Sequence, residues 1–293
     1  MRKILINKNI LPKLMVTTND HCSSYIAKLI MAESVKAGGK IIWGQHGPNY
    51  GAFFLDLDHR HEFENPDKYF SWGWAGKNQK RFINMPSLNI SGLKLRIKIK
   101  NKTGPLIYIS SGGPKYLFNF RSHQVSSEFI EYSNMQLDFV KSLNKRIRDR
   151  MCYRPYFHDN DQGIEENMRN NYPAIKIIKG GDVIQILNEF KLVVIDRPDS
   201  SSMGNLLGVN KPFIVICKKE LFKYSKLSKN IFNKMQQSGM LYEDTKAAAS
   251  FINKIYDDPE KWWYSEEVQL VRQQYINRFA NNNKNFVKIW TGQ

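Results

Sequence analysis

His46 stands in the loop Gly44-Gln45-His46-Gly47-Pro48-Asn49-Tyr50-Gly51, which follows directly on a short apolar run, Lys40 to Trp43. A strand that breaks into a glycine-rich loop is how a parallel sheet delivers functional groups to its carboxyl edge. Gly44, Gly47 and Gly51 permit positive φ or close backbone approach to a ligand. The small or polar neighbours of His46 let its ring face a cleft, although the loop alone names no reaction. Glu62, in His59-Arg60-His61-Glu62, reads as a cleft acid or a solvated one. Two histidines at i and i+2 face the same way only on a strand, and no second ligand pair follows, so a metal site is disfavoured.

Two further stretches suit an anion. Ser110-Ser111-Gly112-Gly113 follows a clean apolar run and can offer backbone amides to phosphate, without a Walker lysine–serine pair. Asp199-Ser200-Ser201-Ser202 opens a helix with several hydroxyls, where plain N-capping explains the residues equally well. Trp72-Gly73-Trp74 ends an aromatic segment whose indoles either pack in a core or line a pocket with one edge wet.

The elements that position these groups follow from periodicity. Leu14–Asn19 reads as a strand. A helix capped by Ser23 or Ser24 runs to about Lys36, with Ile26, Leu29, Ile30 and Val35 as its apolar positions, and Lys40–Trp43 is the next strand. This strand–helix–strand unit implies a parallel α/β sheet, with the end of the first strand and the His46 loop on one edge. Residues 52–66 read as a mixed loop. Leu93–Lys100 alternates apolar with basic and reads as a strand with one cationic face. Further strands are expected at Pro105–Ser110, Ile175–Ile178, Leu192–Asp196 and Phe213–Cys217. Helices are expected at about 127–148, 183–190, 245–256 and 262–279. Asn101-Lys102-Thr103-Gly104 reads as a linker. The expected division is a short N-terminal α/β domain over 1–103, a Rossmann-like domain over 104–260, and a C-terminal helix over 261–293 that packs back across both.

The chain has 293 residues and ordinary apolar content, enough for real cores. Its apolar runs are too short for a membrane span, and the positive start reaches Lys8 before a signal-peptide core can form. Three scattered cysteines without ligand spacing fit a reduced, cytosolic setting. The formal charge of +17 points to anionic partners, and equally to a composition rich in Lys, Asn and Ile. Nucleic acid is set aside because no recognition motif is present.

With these segments in view, the chain resembles the carboxyl half of a family of transferases from O-antigen and surface-polysaccharide gene clusters, best known from spirochaetes. The likeness rests on Gln45-His46-Gly47 with Tyr50-Gly51, Asp67-Lys68-Tyr69 with Ser71-Trp72-Gly73-Trp74, and Arg154 with Asp161 and Gly163. Asp196 with Ser201 and Ser202, Asn210-Lys211-Pro212 and Trp262-Trp263 extend it from about residue 11 to 280. It implies a fold similar to the GT-B glycosyltransferases, two Rossmann-like domains with parallel sheets facing across a cleft, the first one short here. It also implies sugar transfer from a nucleotide-activated donor to a glycan or lipid-linked glycan acceptor, with no cofactor and no metal. His46, Arg154 and the Ser201/Ser202 helix start would neutralise the leaving phosphate. Glu62 or Asp67 would be the base. Gln45, Gly47, Tyr50, Gly51, Ser110, Asp161, Asp196 and Asn205 would complete donor binding, with Trp72 and Trp74 lining the cleft. Asn205 stands where relatives carry an acid, and relatives are longer before the His46 loop. A non-catalytic or partner-dependent subunit, with another chain supplying the missing N-terminal part, is the alternative. Membrane contact would be peripheral and electrostatic.

Overall fold

The structure, a computed structural model, describes residues 10–53, 57–76, 79–96, 103–112, 127–156, 163–218, 220 and 222–292. Two sheets organise it. The first has the order β1-β2-β3-β4, from Leu14–Thr17, Lys40–Gly44, Lys68–Ser71 and Phe82–Asn84, all pairings parallel. Between these strands lie α1 (Tyr25–Lys36) and α2 (Leu57–Glu64). Ser24 caps α1 by accepting from Ala27 N at 3.2 Å, as its residue type predicts.

The second sheet has the order β10-β9-β8-β5-β6-β7. Its strands are β5 (Leu106–Ile109), β6 (Cys152–Arg154), β7 (Lys176–Ile177), β8 (Leu192–Ile195), β9 (Phe213–Ile216) and β10 (Leu241–Tyr242), again all parallel. The chain winds outward from β5 to β7, returns to β8 beside β5, and winds the other way. That is the doubly wound Rossmann order, with its reversal between β5 and β8. β5, β8 and β9 are buried at every residue, so they read as continuous apolar runs instead of alternating ones. The helices that matter below are α3 (Leu88–Arg96), α4 (Ser127–Ser142), α5 (Ile164–Asn171), α6 (Ser201–Val209), α7 (Lys229–Gln237), α8 (Thr245–Ile255), α9 (Glu266–Phe279) and α10 (Phe286–Thr291). The expected α/β class with parallel sheets is what the chain forms.

Several local expectations are corrected. Residues 93–96 belong to α3 and not to a strand; residues 97–100 lie outside the described set. Ser87 starts that helix by accepting from Ile90 N at 3.1 Å, and Ile90 and Leu93 bury one side of it. The three-residue step 90 to 93 outweighs the two-residue alternation that follows. Residues 57–64 are helical too, so the His59–Glu62 stretch lies on α2 and not in a loop. In α1, Ile26 and Val35 are exposed while Met31 and Ser34 face the sheet. The helix expected at 127–148 stops at Ser142, and a separate turn, Lys145–Arg148, precedes β6. The last long helix begins at Glu266, after a break at Tyr264-Ser265.

Candidate functional site

Parallel pairing puts the carboxyl ends of all four strands of the first sheet on one edge, so the end of β1 and the His46 loop do share it. A Cβ at Gly44 would sit 3.1 Å from the Thr18 methyl, so the strand ends lie close. His46 is exposed at the crest of the loop. Gln45 beside it is buried and fully engaged. Its Oε1 accepts from Trp72 N and Trp74 Nε1, both at 2.8 Å, and its Nε2 donates to Gly47 O at 2.7 Å and Phe279 O at 3.2 Å. An amide has two donors and two acceptor sites, so Gln45 shapes the loop from within. Trp72 and Trp74 are buried by this arrangement. Gly51, at φ +77°, lies flat against Trp74, where a Cβ would come within 2.8 Å of the indole.

The loop is seated on the second sheet's machinery. Asn49 Nδ2 donates to Asp199 O, and Tyr275 of α9 donates to Pro48 O at 3.2 Å. Pro48 rests on Gly204 of α6, where any side chain would overlap its ring. Four residues on, a Cβ at Gly208 would lie 2.5 Å from Ile90 Cγ2 of α3. Gly204 and Gly208 thus form a smooth stripe on α6 that receives both the His46 loop and α3. This Gly-x-x-x-Gly spacing was visible in the sequence and carries the contact.

At the β5/β8 reversal the carboxylate of Asp196, buried, is the hub. It accepts from Tyr132 Oη at 2.5 Å, Ser111 N at 2.9 Å, Gln136 Nε2 at 3.2 Å and Tyr108 Oη at 3.3 Å. Ser110, also buried, bonds Tyr132 Oη and Gln136 Nε2, each at 3.0 Å. Burial raises the Asp196 pKa, a rise restrained by the Tyr132 and Ser111 donors. The neighbouring charge holds Tyr132 neutral, its pKa pushed well up by burial and by Asp196. Asp196 therefore fixes the strand-end loop Ser110–Gly112 instead of presenting a free carboxylate. Tyr132 and Gln136, four apart on one face of α4, are the partners that sequence reasoning missed. Arg197 is buried in a two-bond pair with Asp199 (2.8 and 2.5 Å). Burial opposes its charge, but the facing carboxylate outweighs that and raises its pKa.

Ser200, not Ser201 or Ser202, caps α6, accepting from Ser202 N at 3.1 Å. Ser201 is exposed, and Ser202 and Asn205 are half-buried. Together with the Asn49–Asp199 bond, this brings the His46 loop and the α6 start into one place. Arg154 ends β6 and donates to Gly180 O (2.7 Å) and Gly181 O (2.5 Å), so its guanidinium orders that turn; burial lowers its pKa. Asp161 lies outside the described residues. Asp67 precedes β3, at the amino edge of the first sheet, away from the loop. It binds Lys40 Nζ at 3.0 Å and Ile41 N at 2.9 Å, which hold its pKa down. Glu62 is buried beneath the loop, receiving Tyr50 Oη at 3.2 Å and Tyr69 Oη at 3.4 Å, with His21 Nε2 3.3 Å away. His21 is stacked on Trp43 with centroids 4.3 Å apart. Among the described residues no group of three or more metal-ligating side chains converges, and no helix is long and apolar enough to cross a membrane.

All 293 residues match the family model described as LIC12162 family transferase. The chain belongs to the LIC12162 transferase family. No curated protein matches it. Among solved structures it is similar to a candidate UDP-N-acetylglucosamine 2-epimerase from Listeria monocytogenes. The identity is 14% and the TM-score 0.56, covering 95% of this chain and 74% of that one. It is more distantly similar to WaaG, a glycosyltransferase involved in lipopolysaccharide biosynthesis, at 8% identity, TM-score 0.43 and 96% and 84% coverage. The wall teichoic acid polymerase TagF follows at 12% identity, TM-score 0.44 and 87% and 67% coverage. For a LIC12162 family member the first of these likenesses describes a fold; the chemistry has to come from its own residues.

Proposed function

We propose that this LIC12162 family transferase moves a sugar from a nucleotide-activated donor to a surface-polysaccharide or O-antigen acceptor, without a cofactor. The observation that carries this reading is the junction of Asn49 with Asp199 and of Pro48 with Gly204. It presses a histidine loop from one sheet against the Rossmann crevice of the other. Ligands of open α/β sheets bind outside the strand ends at such a reversal. The Gly112 backbone, at the end of the loop that Asp196 braces, and the start of α6 would hold the diphosphate through an amide, hydroxyls and the helix dipole. Asn205 would bond a donor hydroxyl, and His46 would stabilise the leaving phosphate. Neither candidate base is presented to the crevice: Asp67 lies at the opposite edge, and Glu62 is buried beneath the loop where Tyr50 and Tyr69 donate to it. In this reading residues 1–103 serve the acceptor, 104–260 the donor, and 261–293 tie the two together; the protein works in the cytoplasm, at most peripherally on a membrane.

Thermal stabilisation by CMP, UDP, GDP and their sugar conjugates tests it. Selective stabilisation by one nucleotide, with saturating ligand raising stability by about 2.7 kcal/mol at a hundredfold excess over Kd, is expected and should weaken in His46→Ala. A folded chain indifferent to every nucleotide overturns the reading. Product analysis separates transfer from epimerisation of the donor sugar.

A further inference from the structure

Two sheets that face a crevice swing apart only where few contacts cross between them. In this chain residues 51–53, which end the His46 loop, are gripped by residues 224–228, the turn that leads into α7. Phe53 and Tyr224 form an antiparallel bridge. Ser225 donates to Gly51 O through Oγ at 2.6 Å and to Ala52 O through N at 2.9 Å, and Ser228 Oγ donates to the same Ala52 O. Ala52 and Ser228 are fully buried, so these bonds act in a low-dielectric setting that strengthens them. Phe53 completes the grip in a ring cluster with Phe222, Tyr224 and Phe232, at centroid distances of 6.1, 5.9 and 5.6 Å.

Further fastenings reach the first sheet's half from other directions. Asn49 and Pro48 rest on Asp199 and Gly204, and Tyr275 Oη of α9 also lies 3.1 Å from Asn49 Oδ1. Just past α9, Asn281 N donates to Trp72 O at 3.1 Å, and Asn281 O accepts from Ser87 N at 2.8 Å. A Cβ at Gly73 would come within 2.4 Å of Asn277 O, so α9 lies directly on the backbone that follows β3. Beneath these bonds runs one apolar core: Ile41, Trp43 and Tyr69 of the first sheet fall in the same buried cluster as Val193, Phe213 and Tyr275. Parts of a chain move relative to one another unless the interface between them is large and apolar. This one is apolar and threaded by backbone bonds.

We propose that the turn at 224–228 is a clasp that fixes the width of the crevice. The His46 loop and the second sheet then move as one body, and ligands bind without the halves swinging open or shut. His46 and the start of α6 keep one spacing throughout, which is the condition for stabilising charge without reorganisation. The proposal stands apart from the glycosyl-transfer reading, because the width of the crevice is measured first on the unliganded chain.

The test replaces Lys28 of α1 and Lys246 of α8, both exposed, by non-canonical side chains that carry spin labels. Pulsed dipolar spectroscopy on the full chain then gives the distribution of distances between them. One narrow distribution is expected, displaced by less than about 2 Å when CMP, UDP or GDP is added, whereas hinge closure exceeds that. Amide exchange reads the clasp itself. Ser225→Ala combined with Ser228→Ala should speed exchange at Ala52 and Ser225 by about tenfold or more and broaden the distance distribution, while β5, β8 and β9 keep their protection. If the double variant fails to fold, Ser225→Ala alone is read in the same way. A broad or two-peaked distribution in the unliganded chain, a nucleotide-induced shift beyond about 2 Å, or clasp variants whose exchange matches the parent would each overturn the proposal. Should no nucleotide bind, the transfer reading falls, and a single narrow unliganded distribution still upholds the clasp.

Discussion

Replacing Gly204 by alanine separates two opposite expectations. Gly204 lies inside α6, where alanine is intrinsically better than glycine by about 1 kcal/mol. If nothing touched this position, the substitution would stabilise the chain. The structure instead puts the Pro48 ring where the new methyl must go, with the rigid ring and not a flexible chain end in the way. Carbon atoms in contact settle near 3.5–4.0 Å, so the loop and α6 have to separate by roughly an ångström. Overpacking of this kind costs about 1–3 kcal/mol, and the propensity gain offsets part of it. A net loss of about 1–2 kcal/mol lowers Tm by at least about 2 °C in a chain of this size. Gly92 is the matched control: it lies inside α3 and has nothing within 4 Å of an added Cβ, so Gly92→Ala should raise stability by about 0.5–1 kcal/mol. Thermal and urea unfolding of the two variants beside wild type give the signs directly. Nucleotide-dependent stabilisation should fall in Gly204→Ala and persist in Gly92→Ala. A Gly204→Ala protein as stable as Gly92→Ala would refute the placement of the His46 loop on α6, and with it the shared site.

Other perturbations read other parts of the same arrangement. Gln45→Leu strands the buried Trp74 Nε1 and three backbone groups, so a loss of upwards of about 3 kcal/mol is expected in denaturant unfolding. His46→Ala removes an exposed side chain and should change stability by less than about 0.5 kcal/mol, while any transfer activity falls by about a hundredfold or more. Tyr132→Phe takes the shortest donor from Asp196. It should cost about 1.5–3 kcal/mol, measurable by calorimetry, and loosen amide protection at Ser111. Lys211 is fully buried, its Nζ donating to Phe190 O, and burial lowers its pKa to about 8. Between about pH 8 and the ordinary lysine value near 10.4 the unfolded chain binds the extra proton. Stability from this group therefore rises with pH across that window, by roughly 3 kcal/mol in total. Lys211→Met should flatten that rise in pH-dependent unfolding; an unchanged slope would mean that the amine is solvated.

Legibility in the sequence followed the kind of signal each segment carries. β5, β8 and β9 were readable because strands buried on both faces are uninterrupted apolar runs bounded by turn residues. The His46 loop was readable because its glycines and proline exclude regular structure. Short segments with mixed periods failed: in 93–96 the alternating Leu93 and Leu95 masked a helix that Ser87 had already capped. At 57–64 the His-x-His pattern drew attention away from helix formers. Ile26 and Val35 misled because apolar spacing cannot say whether a face is covered.

The candidate site divides along the same line. Which residues stand at strand ends follows from parallel connectivity, so the positions of His46 and Ser110 were legible in the chain, while Asp196 was singled out through the resemblance. What each does there depends on neighbours distant in sequence. Asp196 looks like a ligand until Tyr132 and Gln136 arrive from α4 and occupy it, and Gln45 looks like one until Trp72, Trp74 and Phe279 do. Yet Tyr132 and Gln136 left a trace: two polar residues four apart, on the side of α4 that also buries Met135 and Phe139. Polar groups on a buried helix face must find partners, and the nearest strand-end carboxylate is the natural one. Read that way, α4 announces that Asp196 is a bracing residue. In the proposed reading the groups left to meet a substrate are the Gly112 backbone, the α6 start and the exposed imidazole of His46.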